Sequence, residues 1–130
     1  MKLIKHSQFW IVVLGLLLAP AAFASGKKVI ITGDVYDSAC LFTKNLEKPI
    51  SHECALKCAA SGSPLVILAG DGTIYWPIDD KMPAKGQNFL LTKYGAKSVK
   101  VTGIVFERGS SKAIVIKQIE EEKPVAKNLH

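Results

Sequence analysis

The chain has 130 residues, a net charge of +6 and 48% hydrophobic residues, with three cysteines and three histidines. That length suits one domain able to bury a core without depending on staples. The positive excess is too modest and too dispersed to mark a nucleic-acid binder, and the mixed Lys and Glu of Glu47-Lys48 and of Glu120–Lys123 read as solvated faces.

The N-terminus pairs Lys2 and Lys5 with an apolar run from Phe9 to Leu18, broken by Pro20 and followed by Ala22-Phe23-Ala24. This pattern predicts a secretory signal peptide over residues 1–24, cut after Ala24, and hence a periplasmic or extracellular bacterial protein. The run is shorter than the ~20 residues of a membrane span. No cysteine follows it to take a lipid, so no stable anchor is expected after cleavage. Loss of Lys2 and Lys5 would lower the charge of +6 by two.

Lys28 to Tyr36 alternates apolar and polar residues and predicts a strand, with Gly33 marking a bulge or bend. Asp37 to Ile50 reads as a connector. Ser51 then supplies an N-cap, Glu53 suits the first turn, and Gly62 and Pro64 supply a stop, which predicts a short helix to about Ala60. Leu65–Ala69 and Thr73–Trp76 read as strands joined by the turn Gly70-Asp71-Gly72. Residues 77–87 read as loop and Asn88–Tyr94 as one or two helical turns. Ser98–Glu107 and Lys112–Ile119 alternate cleanly, the second with a shift after Ile116, and Arg108–Ser111 joins them as a hairpin. The domain is therefore expected over residues 25–119, with residues 120–130 as a charged, flexible tail.

Five strands with glycines placed to bend two of them, Gly33 and Gly103, predict a mainly β fold: a small barrel with one short helix after the first strand. The Val-x-Val-Thr-Gly-x-Val…Ile-x-Val-x-x-Ile layout of residues 99–119 looks like the last two strands of an OB-fold. The body, 29–119, resembles small secreted bacterial OB-like domains. Some of these carry Asp-x-x-Cys, a cysteine-bearing helix, Gly-x-Pro and Gly-x-x-Tyr; here Asp37–Cys40, His52–Cys58, Gly62–Pro64 and Gly72–Tyr75 match. The resemblance implies an OB-like barrel rather than an activity. Ordinary OB-folds place their helix between the third and fourth strands, whereas here it follows the first.

Chemistry is concentrated in Cys40 and the stretch His52-Glu53-Cys54-Ala55-Leu56-Lys57-Cys58. His6 falls in the leader and His130 ends the chain, so His52 is the one histidine expected in the folded body. On a helix, Cys54 and Cys58 at i and i+4 are neighbours, roughly 6 Å apart. His52 would point about 160° away from Cys54 at ~100° per residue, and could join the thiols only if the chain there were not yet helical. The first helical turn and Lys57 both favour a thiolate at Cys54.

Three readings follow. Export into an oxidising compartment favours a disulfide from Cys40 to Cys54 or Cys58, with one thiol left over. Cys40, Cys54 and Cys58, with His52 as an optional fourth ligand, also form a soft-metal set suited to Cu(I) or Zn(II), with Asp37 as a candidate partner to a ligand. A thiol enzyme with Cys54 as nucleophile and His52 as base lacks both an orienting group and a Cys-x-x-Cys pair. The chain thus reads as a binding module rather than an enzyme. Its partner is a metal ion or, for a disulfide-stapled domain, a protein, glycan or other envelope component. Tyr75 and Trp76, with Phe89 and Tyr94, offer a candidate stacking surface for that second case, against the commoner role of aromatics in packing. Asp79-Asp80 and the set Lys93, Lys97 and Lys100 read as solvated surface.

Overall fold

A computed structural model describes residues 26–44 and 50–123 of the chain. The expected leader at 1–24, the middle of the connector and the end of the tail from Pro124 lie outside the described residues. Five strands, β1 (Lys27–Asp37), β2 (Leu65–Ala69), β3 (Ile74–Pro77), β4 (Ser98–Arg108) and β5 (Ser111–Glu121), close into a barrel in the order β1-β2-β3-β5-β4. The mainly β, five-stranded barrel read from the sequence is the observed architecture. Every strand pair is antiparallel except β3 with β5.

β1 closes the barrel because it serves two partners. Its first part pairs with β4 and its last part with β2, and Gly33 stands in both ladders, opposite Val99 and Ala69. A Cβ at Gly33 would lie 2.6 Å from the Leu68 carbonyl oxygen, so only glycine lets the strands approach this closely. Gly103 plays the matching part in β4, where a Cβ would lie 2.6 Å from the Val115 carbonyl oxygen. The β4–β5 register slips between Thr102 and Gly103, so that Thr102 faces Gln118 while Gly103 faces Ile116. The extra residue, Lys117, is a bulge, which explains why the alternation of β5 shifts after Ile116.

The interior is filled from alternate positions of these strands. Val35, Leu65, Ile67, Val99, Val101 and Ile114 are fully or almost fully buried, with Leu91 and Tyr94 joining from the far connection. Ile116 and Ile119 both pack on this core, a spacing of three that the bulge makes possible.

Two readings of the sequence are corrected. Two short helices, not one, follow the first strand: α1 (Ser38–Thr43) and α2 (His52–Ala60). The Asp37 carboxylate accepts the Cys40 N–H at 2.8 Å and so starts a helix where a plain connector was expected. β5 also runs two residues into the expected tail, because Glu120 and Glu121 pair with Lys100 and Val99, and Lys97 holds Glu121 at 3.1 Å. A third helix, α3 (Asn88–Leu91), continues into a 3-10 turn over Thr92–Tyr94, as the helical piece expected there required. Among the described residues no helix is long and apolar enough to cross a membrane.

Candidate metal centre

The α1–α2 insertion lies between strands that are paired at its base, where Asp37 faces Leu65. The Ser38 N–H donates to the Pro64 carbonyl at 2.9 Å, which ties the start of α1 to the end of the insertion. α2 begins at Ser51, whose Oγ accepts the Cys54 N–H at 3.1 Å, and ends where Gly62 adopts φ +95°. Its faces are divided by helical period. Ala55 and Ala59 point to the barrel, with Ala55 wholly buried against Gly95. Glu53 and Lys57 form an exposed ion pair at 2.8 Å. Cys54 and Cys58 fall on the face toward α1.

This arrangement brings the three cysteines together. The ligand atoms of Cys40, Cys54 and Cys58 all lie within 4.8 Å of one another. Cys40 is buried and the other two are half-buried. All three thiols are free, and Cys40 and Cys54 stand 3.9 Å apart between their Sγ atoms, against about 2.05 Å in a disulfide. Three converging sulfurs, one deep and two reachable from solvent, can hold a metal ion.

Asp37 completes the surroundings. It is fully buried. Burial works to raise its carboxyl, but hydrogen bonding with Ser63, with the Cys40 backbone N–H and with the thiols of Cys40 and Cys58 outweighs this and holds it below the usual range. Its second oxygen, Oδ2, is buried and faces these donors without a well-aligned hydrogen bond. Burial pushes the Cys40 thiol up to about 12, helped by Asp37 and the neighbouring thiols. Burial and the negative charge of Asp37 also raise Cys58.

His52 does not join the three sulfurs. It is the first residue of α2, is exposed, and donates from Nδ1 to the Gly95 carbonyl at 2.6 Å. The helix begins early enough that the 100° step carries the ring to the side facing Gly95, as the regular geometry required. Lys57, read from the sequence as a neighbour of the Cys54 thiolate, is engaged with Glu53.

Tyr75 and Trp76 do not share a surface. Adjacent strand residues face opposite sides, so Tyr75 packs against the core while Trp76 lines an outer groove of about 420 Å³ with Ile78, Phe106, Lys112 and Ala113. Tyr94 is buried, with its hydroxyl donating to the Ile119 carbonyl at 3.3 Å, while Phe89 is exposed. Asp80 meets Lys117 at 3.1 Å, and the Lys93 ammonium lies over the Tyr94 ring.

Asn88 is a site-supporting residue that sequence reading passed over. Its Oδ1 accepts the Leu65 N–H at 2.8 Å, and its Nδ2 donates to the Ser63 carbonyl at 2.8 Å and the Ala59 carbonyl at 3.4 Å. One amide thus fixes the end of α2 and the chain beside Asp37. An Asn at the start of a helical piece signals a local cap, and nothing in its spacing points to residues so far back in the chain. The chain matches no protein-family model, no curated protein and no solved structure.

Proposed function

We propose that this chain is an exported binding module, not an enzyme, that holds a soft metal ion through Cys40, Cys54 and Cys58. The observation that carries the reading is the convergence of three sulfurs, from two helices, within 4.8 Å. Thiolates are the ligands of choice for Cu(I) and Zn(II), and three of them leave a position open for a fourth partner or for handing the ion on. The leader-like N-terminus supports export, where such a module would take up or deliver metal. The placement of His52 against Gly95, outside the group of three sulfurs, supports a binding rather than a catalytic role, since it puts no imidazole among the thiols.

The second reading is a disulfide-stapled interaction domain for an envelope component, favoured by the 3.9 Å approach of Cys40 to Cys54. Native mass spectrometry of protein recovered from its export compartment, before and after denaturation with thiol alkylation, separates the two. A mass increase matching copper or zinc with three alkylatable cysteines is the expected result. An ion-free mass two hydrogens light, with one alkylatable cysteine, overturns the metal reading.

A further inference from the structure

Asp37 is the N-cap of α1, yet its carboxylate is also buried beside the cysteine thiols. Oδ1 is accounted for by the Cys40 N–H. Oδ2 is buried and makes no well-aligned hydrogen bond, while the carboxylate lies beside the thiols of Cys40 and Cys58 and the Ser63 side chain. Among the described residues no Lys, Arg or His forms an ion pair with it. Asp37 is not one of the three mutually close ligand atoms; it stands beside two of them. A cation held by the neighbouring sulfurs would stand beside this carboxylate and be drawn to its charge.

Resting on the reading of the three cysteines as a metal site, we propose that Asp37 sets which ion the site takes, favouring a divalent, Zn(II)-like ion over Cu(I). The reasoning is a count of charge. Three thiolates and one carboxylate bring four negative charges into a half-buried pocket. A monovalent ion leaves three uncompensated and a divalent ion leaves two, so the carboxylate strengthens binding of the divalent ion more. Chemistry points the same way, because a carboxylate oxygen suits Zn(II) as ligand or ligand partner and adds nothing to the sulfur preference of Cu(I). Asp37 acts as a specificity-determining neighbour whose negative charge, rather than its capping geometry, is the working part.

The test compares Zn(II) and Cu(I) affinities of the reduced protein, by competition with chromophoric chelators without oxygen, for wild type and Asp37→Asn. Asparagine caps helices as well as aspartate does, so the start of α1 is kept and the charge is removed. Zn(II) binding is expected to weaken by ~10–100-fold, the usual effect of losing a ligand's outer partner, and Cu(I), with half the charge, by only ~3–10-fold. Asp37→Ser, which keeps a capping hydroxyl, repeats the comparison if the first variant folds poorly. Equal losses for both ions would make Asp37 merely structural, and no loss for either would make it a bystander; both outcomes overturn the proposal. A wild-type protein that holds neither ion would instead remove the metal-site reading itself.

Discussion

Replacing Gly95 by alanine tests whether the seat of α2 on the barrel is what holds the thiols in place. A Cβ at residue 95 would lie 2.9 Å from the Ala55 Cβ and 3.5 Å from both His52 Nδ1 and the Thr92 carbonyl oxygen. Non-bonded carbons settle at ~3.5–4.0 Å, so the methyl groups must separate by about 0.6–1.1 Å. Ala55 and His52 both belong to α2, so the helix moves as a body. Overpacking of this kind costs about 1–3 kcal/mol, and each kcal/mol lowers the Tm of a domain of this size by ~4–8 °C. A fall of roughly 4–24 °C in the melting of the reduced, metal-free protein is expected. Cys54 and Cys58 would move together against Cys40, across a contact now at 3.9 Å, so Zn(II) affinity should fall although no thiol has been touched. Adding Ala55→Gly removes the opposing methyl and should restore metal binding, while costing ~1 kcal/mol of helix propensity. Unchanged melting and unchanged Zn(II) affinity in Gly95→Ala would refute the argument that this contact positions the site.

Three further outcomes follow from the same geometry. Each of Cys40→Ser, Cys54→Ser and Cys58→Ser should weaken metal binding in a chelator competition; a stapled domain would instead show two destabilised variants and one silent one on melting. Because Cys40 is pushed up to about 12 and Cys58 is raised as well, both enter the neutral range as thiols. Binding an ion must therefore release at least two protons, and affinity should rise with pH and fall as pH drops; calorimetry in two buffers of different ionisation enthalpy counts those protons, and a count near zero would contradict the thiolate site. Asn88→Ala leaves the Leu65 N–H without its acceptor and should cost ~1–3 kcal/mol in denaturant unfolding, with a loss near zero showing that solvent replaces the amide.

The barrel was legible because its signals are local and repetitive. Alternation marked β1, β4 and β5, an apolar run and the Gly70-Asp71-Gly72 turn marked β2 and β3, and the shift after Ile116 reflected a real bulge at Lys117. Helix α1 went unread because it is one short turn-and-a-half with Phe42 exposed and no apolar stripe, and its one signal, Asp37 before an Ala-Cys-Leu run, served equally as a turn residue. The pairing of Cys54 with Cys58 followed from helical period alone. The arrival of Cys40 depended on contacts distant in sequence, such as Ser38 with Pro64, that no local pattern encodes. Period 3.6 also placed His52 correctly on the side away from the thiols. Period 2 separates Tyr75 from Trp76, a consequence missed when the two were grouped as one surface.

The pairing of Asp37 with Leu65 gives the insertion a second role. Residues 38–64 leave and re-enter the barrel at neighbouring positions, so they form a loop closed at its base by the sheet itself. An ion joining Cys40 to Cys54 and Cys58 would clasp α1 to α2 beside the Asp37 end of β1. Stability should therefore come in two tiers: amide hydrogens of α1 and α2 would exchange faster when the ion leaves, while those of β1, β4 and β5 keep their protection. Loading and unloading would then be an opening of the insertion alone, with the barrel as an unchanging frame.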